Sequence, residues 1–331
     1  MKYEEIRKLL QYNDYNGMES KLFMPNELFE DLKNNIKNTP HIAFAYTYIY
    51  LVTWLYRHSK HTVIKGGVSN STIKEILGYN PETRTVNYLI TKNGLLDKIG
   101  YTSTDRNFPI ASEIIDGRLE FVLVNELESK EDPLYSYEYS MEKKIRENVP
   151  KNFTIKYPVK AFEREVDEKG FIDVEGTFYE FENTHLIPFE VFMYCMSKED
   201  IGCTGFYLYA YLSHKNDIYG GYDVSLEDLV KETGIADRTL DKYLGMLKGY
   251  KMIDFQHNQE YFAIGMRKED RMANTYTTND YDEFVEQPVS YQKINIVKKK
   301  DYFKMLLEEE EAKKIEIWGD VIDIPLESLP Y

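Results

Sequence analysis

Residues 224–264 read VSLEDLVKETGIADRTLDKYLGMLKGYKMIDFQHNQEYFAI. Ser225 stands where a helix N-cap is wanted, and Asp228 three residues later fits a loose capping box. Leu226, Leu229 and Val230 recur at helical spacing. Gly234 follows where a left-handed residue ends such a helix. Asp237 suits the cap of a second helix, with Leu240, Tyr243, Leu244 and Leu247 on one face and Arg238, Thr239, Asp241, Lys242 and Lys248 on the others. Gly249 is its expected stop. MIDF, a polar QHNQE turn and YFAI then predict a β-hairpin.

Helix, tight turn, helix and hairpin, in that order, is the layout of a winged helix-turn-helix. The second helix would be the recognition helix and the hairpin the wing. The bland alternative is a helical hairpin packed on a β-ribbon. A second copy of the pattern argues against it. Residues 68–110 read VSNSTIKEILGYNPETRTVNYLITKNGLLDKIGYTSTDRNFPI. Val68-Ser69 matches Val224-Ser225, Ile73 matches Leu229, and Gly78 matches Gly234. Arg84-Thr85 matches Arg238-Thr239 after two extra residues in the turn, and Asn93-Gly94 matches Lys248-Gly249. The first wing would be LLDKIG, the YTSTDRN turn with Arg106 at its tip, then FPI. A helix dense in Tyr and Leu precedes each unit, FAYTYIYLVTWLYRHSK and FYLYAYLSHKN. Residues 183–189 also echo residues 38–44, which extends the expected repeat upstream.

The expected fold class is α+β, mainly α, with tandem winged helix-turn-helix domains and a mixed connector. A chain of 331 residues is about two domains. The expected divisions are 1–112 for the N-terminal winged-helix domain and 113–182 for an acidic connector with short strands. Residues 183–270 form the second winged-helix domain, and 271–331 a C-terminal extension with an acidic tail. Near the start, residues 22–36 predict a helix opening at Pro25. In the connector, LEFVLVNEL, FIDVE and TFYEF are strand candidates, EDPLYSYEY a loop, residues 141–148 a short helix and residues 154–159 an extended segment.

Net charge is −15, which at first sight opposes nucleic-acid binding. Its distribution removes most of that objection. Residues 113–190 hold 19 acidic against 10 basic residues and residues 305–331 hold 8 against 2, so these two segments account for all of it. Both helix-turn-helix units lie in the neutral remainder, and DNA needs only a local basic face. Cys195 and Cys203 form neither a zinc pair nor a disulfide framework, which points to a reducing cytoplasm. No apolar run approaches a membrane span and no signal peptide is evident.

Catalytic patterns are not found. There is no phosphate-binding G-x-x-x-x-G-K-[ST] loop. The six histidines (41, 58, 61, 185, 214 and 257) give neither the His-apolar-His pair of rolling-circle initiators nor the His-x-x-Arg of tyrosine recombinases. His58 and His61 have metal-like spacing, but without a third ligand they read as solvated helix-end residues. Glu165, Asp167 and Glu168 read as a solvated charged face. No enzyme activity, metal or cofactor is expected.

Recognition remains. Early residues of a recognition helix face the major groove. In the second unit these are Asp237, Arg238, Thr239, Asp241 and Lys242. In the first they are Glu82, Thr83, Arg84, Thr85, Asn87 and Tyr88. Arg pairs with guanine, Asn with adenine, and Thr contacts a thymine methyl. Lys92, Lys98, Lys248 and Lys251 would hold phosphates. Arg106, His257 and Asn258 would act from the wings.

The pattern Gly234-Ile235-x-x-Arg238-Thr239-Leu240-x-x-Tyr243-Leu244-x-x-Leu247 resembles winged-helix domains of plasmid replication initiators and of phage or plasmid regulators from Gram-positive bacteria. The resemblance is strong over the second unit and weak over the first. It implies site-specific binding of double-stranded DNA by the helix at 236–248. The first expectation is a transcription regulator reading a bipartite site. The alternatives are a replication initiator bound to origin repeats, or a winged-helix module that binds a protein partner through the acidic connector or tail. Monomer and homodimer both stay open.

Overall fold

The helix at residues 39–57 is buried on almost every side. Sixteen of its residues are buried, from Ile42 through Arg57. A helix apolar all round belongs inside a core. Its tyrosines bury their rings and still place their hydroxyls. Tyr48 donates to Asn70 Oδ1 at 2.6 Å and Tyr50 to the Ile187 carbonyl at 2.7 Å, while Tyr46 Oη lies 2.6 Å from His185 Nε2. Burial pushes the His185 imidazole well below its ordinary pKa, so it is neutral at pH 7.

The computed structural model describes residues 1–13, 17, 19–115, 118–129, 145, 147–162, 165–166, 172–173 and 183–322. The first half comprises α1 (Tyr3–Leu9), β1 (Lys21–Pro25), α2 (Leu28–Asn35), α3 (Thr39–Arg57), α4 (Asn70–Ile76), α5 (Asn87–Ile90) and α6 (Leu95–Lys98). Strands β2 (Thr102–Asp105), β3 (Pro109–Ile115), β4 (Arg118–Leu123) and β5 (Ile155–Pro158) follow, then α7 (Val159–Phe162), β6 (Glu165–Val166) and β7 (Ile172–Asp173). The second half comprises β8 (Thr184–Pro188), α8 (Phe189–Ser197), α9 (Gly202–Tyr219), β9 (Tyr222–Val224), α10 (Leu226–Thr233), α11 (Asp237–Gly249), β10 (Ile253–His257), β11 (Tyr261–Ala263), β12 (Asn274–Thr278), β13 (Asn295–Val297) and α12 (Lys299–Ile322). The chain is α+β and mainly helical.

The halves are built alike and interlock. Strand β1 pairs antiparallel with β8, centred on Phe23 opposite Leu186. Each strand leads through a short helix, α2 or α8, into a long buried helix, α3 or α9. The two long helices pack on each other. Two reciprocal contacts follow. Thr39 at the start of α3 donates to the Gly234 carbonyl at 2.7 Å, and Cys203 at the start of α9 donates to the Leu77 carbonyl at 3.4 Å. Gly78 and Gly234 both take the left-handed conformation that ends a helix, at φ +79 and +70. Each half thus holds the start of its long helix against the end of the other half's next helix. One continuous hydrophobic core, from Ile6 to Tyr276, runs through both.

Several expectations are corrected here. Residues 38–44 and 183–189 are not equivalent, because Asn38 leads into a helix and Asn183 into a strand. Leu22 and Met24 alternate inward on β1, and Pro25 ends that strand rather than opening a helix. The first wing is not a hairpin of LLDKIG with FPI. Residues 95–98 are helical, β2 pairs with β5, and β3 pairs with β4. Asp97 explains the local geometry. Its carboxylate accepts from Thr102 Oγ1 at 2.5 Å, from Asn93 N at 2.9 Å and from Lys156 Nζ at 2.6 Å, which fixes β5 beside β2.

In the second half, YFAI is not the return strand of the wing. Strand β12 pairs with β10 in its place, giving a three-stranded sheet in the order β10-β12-β9. Tyr276 fills the core while Thr275 and Thr277 turn outward. Strand β11 pairs in parallel with β13 instead, beside a small second cluster of Ala263, Met266 and Tyr302. Within the connector, LEFVLVNEL supplies β4 and FIDVE supplies β7. EDPLYSYEY and TFYEF lie outside the described residues, as does most of 141–148. The start of the acidic tail is helical, in α12.

Candidate nucleic-acid interface

Helix α10 is capped by Ser225, whose Oγ accepts from the Asp228 amide at 3.1 Å. It ends at Gly234, and after two intervening residues α11 begins. The N-cap of α11 is Ala236, so Asp237 is the first helical residue rather than the cap. Its carboxylate still suits the positive end of the helix dipole. Leu240, Leu244 and Leu247 are buried against the core. Arg238, Asp241 and Lys242 are therefore exposed, with Thr239 at the margin. Arg238 and Lys242 make no ion pair among the described residues. The helix runs through Gly249 and stops at Lys251, which is left-handed at φ +53, with Met252 N bonded to the Leu247 carbonyl at 2.9 Å.

The C-terminal half of α11 is covered by its own chain. Val289 N donates to the Gly249 carbonyl at 2.8 Å and Val285 N to the Tyr250 carbonyl at 3.1 Å. A Cβ at Gly249 would meet Pro288 at 3.3 Å, and one at Gly245 would meet the Tyr291 hydroxyl at 3.0 Å. Residues 285–291 thus form a strap over the Gly245–Gly249 side. The open surface of α11 is its first two turns. The glycine pair four residues apart was the only signal in the sequence for this strap.

Lys248 is not a free phosphate contact. Its ammonium sits 4.1 Å from the Phe255 ring centre, 5.3 Å from Tyr276 and 5.7 Å from Tyr291. Burial pushes its pKa down to about 8, with Asp241 opposing. The unfolded chain keeps this proton up to about 10.5. Between those values the unfolded state binds more protons, so this lysine's contribution to stability rises with pH. Lys248→Met should unfold at a higher temperature than the parent at pH 7, and that margin should shrink as pH rises from 8 to 10. Melting curves at four pH values check this, and a constant margin refutes it.

His257 and Asn258 serve the sheet. His257 Nδ1 lies 3.0 Å from Asn274 Oδ1, and Asn258 donates to the Ala273 carbonyl and to Thr275 Oγ1, both at 2.9 Å. Lys251 is exposed. Lys268 and Arg271, from the long β10–β12 connection, pair with Glu227 on α10.

The first unit differs more. Pro81 and the loop after it replace the start of the expected second helix, of which only α5 remains. The buried Lys74 ammonium holds this loop, donating to the Thr83 carbonyl and to Asn87 Oδ1, both at 2.7 Å. Asn87 is therefore occupied. The Thr83 and Thr85 hydroxyls lie 3.2 Å apart, and Tyr88 Oη lies 3.0 Å from His41 Nδ1. Glu82, Arg84, Thr85, Tyr88, Lys92 and Lys98 are exposed, and so is Arg106 in the β2–β3 turn.

His58 and His61 are not solvated. His58 packs on Trp54 and His61 is buried, and burial pushes both down to about 3. Among the described residues no three His, Cys, Asp or Glu side chains are placed to hold a metal, and no helix is long and apolar enough to cross a membrane. Comparison of the chain with protein-family models, curated proteins and solved structures finds no match.

Proposed function

We propose that this chain binds double-stranded DNA sequence-specifically, as a transcription regulator of the phage or plasmid type, through a winged helix-turn-helix in its second half and a divergent, wingless counterpart in its first. The observation that carries this is the second unit. There α9, α10 and α11 are closed by a sheet in the order β10-β12-β9, an arrangement that fits the winged-helix plan, and the exposed first two turns of α11 present Arg238 and Lys242. Residues at the start of a recognition helix are those that reach base edges. Asp241 beside them can accept from a cytosine amine.

The first unit takes the lesser part. With α5 only four residues long and Asn87 bound to Lys74, Arg84 and Lys92 are suited to phosphates rather than bases. Because the halves share one core, the two units present their surfaces at a fixed separation, and one chain spans a bipartite site.

Selection from random duplexes, followed by binding measurements across salt concentrations, tests this. The expected result is an enriched bipartite motif with half-sites about 10 base pairs apart or a multiple of that. The logarithm of affinity should fall against log salt by about 0.9 per phosphate neutralised. Recovery of no motif, together with salt-independent binding, would overturn the proposal.

A further inference from the structure

Helix α12 packs on the body through its start. Tyr302 is buried against Ala263 and Met266, with Leu306 packed beside them. On the adjoining face Phe303 and Leu307 are 47% and 61% exposed. Every residue from 308 to 314 is exposed. The helix thus carries an apolar pair, one turn apart, that no described residue buries, with the Lys299 ammonium 5.8 Å from the Phe303 ring centre.

The charges around that pair are arranged with opposite signs at its two ends. Lys299 and Lys300 precede it, and Glu310 and Glu311 follow it, all four exposed. Eleven residues make just over three whole helical turns. Lys299 and Glu310 therefore lie along one flank of the Phe303–Leu307 stripe, and Lys300 and Glu311 along the other. A parallel partner of the same sequence would set lysine against lysine and glutamate against glutamate. An antiparallel partner, related by a two-fold axis at Met305, sets each lysine against a glutamate. It also lays Phe303 over Leu307 of the second copy.

We infer that the outer face of α12 is a self-association surface on which two copies of this chain pair antiparallel. Lys299 faces Glu310 of the second copy and Lys300 faces its Glu311, so four ion pairs flank two Phe–Leu contacts. The signs select the antiparallel register and reject the parallel one. A contact of this size is a weak one, with a dissociation constant of about 10 µM.

Sedimentation equilibrium of the full chain at about 100 µM tests this, because such a contact is mostly formed there. The expected weight-average mass approaches twice the 39.2 kDa of one chain. The acidic variant Lys299→Glu/Lys300→Glu and the basic variant Glu310→Lys/Glu311→Lys should each dissociate at least tenfold more readily. Mixed in equal amounts, they should pair again, since each then meets the opposite charge. Phe303→Ser/Leu307→Ser should sediment as a monomer with unchanged circular dichroism. A monomeric parent at that concentration would overturn the proposal, as would charge variants that self-associate like the parent or fail to pair when mixed.

Discussion

Arg238→Ala/Lys242→Ala is expected to bind a selected duplex about a hundredfold more weakly than the parent, with its fold intact. A bidentate arginine–guanine pair is worth about 1–3 kcal/mol of base discrimination, and a phosphate contact adds a sequence-independent increment. Both side chains project from the open turns of α11 and support nothing in the core, so circular dichroism and melting temperature should not change. The single variants should separate the roles. Arg238→Ala should relax the choice of base at one position, whereas Lys242→Ala should weaken all sequences alike and lower the salt slope by about one unit. Arg84→Ala should behave like the lysine variant, since α5 offers no turn from which to read bases. Unchanged affinity in the double variant would remove α11 as the reading element and favour a protein partner instead.

The helices of the second unit were legible because their signals are local. Ser225, Gly234 and the Leu240, Leu244, Leu247 spacing each act within a turn or two, and each operates in the structure as its chemistry requires. The return strand of the sheet was hidden for the opposite reason. Asn274–Thr278 contains one buried side chain, Tyr276, among polar neighbours, while the nearer YFAI is more apolar. Apolar character favoured the wrong partner. Alternation of Thr with a central Tyr was the available signal. Hydrogen bonds from His257 and Asn258, the residues expected at the wing turn to face DNA, reinforce the pairing.

The first unit shows how far a repeat in sequence can mislead. Arg84-Thr85 matches Arg238-Thr239, yet the two extra residues and Pro81 turn a helix into a loop. Lys74 has the length and charge to gather the carbonyls that the lost helix would have bonded. In the second unit Val230 stands at the matching place, and no such tether is needed there. The pairing of β1 with β8 is wholly non-local, and no spacing within either segment announces it. Among the candidate site residues, those on exposed helix turns were legible from helical phase. The caged Lys248 was not, because its surroundings come from β10, β12 and the strap.

That non-local seam makes the last prediction a large one. Phe189 begins α8 in the second half and is fully buried. Its ring stacks on Trp54 of the first half at 4.0 Å and 8°, and lies 6.2 Å from Tyr50 and 5.3 Å from Tyr12. Phe189→Ala would leave a cavity lined by both halves. Such truncations cost about 3–5 kcal/mol where neighbours cannot collapse, and these are ring systems already fixed by hydrogen bonds at Trp54 and Tyr50. Domains of ordinary stability have only about 5–15 kcal/mol in all, so the variant should lose a large part of its resistance to urea. The parent and the variant should each unfold in one transition, with tryptophan emission and far-ultraviolet circular dichroism superimposed, because no boundary in the core separates the halves. Chains cut to 1–150 or 151–331 would each expose one side of this seam and should not fold alone. Two resolved transitions in the intact chain, or a variant in which only one half is weakened, would show instead that each half is stabilised by its own core.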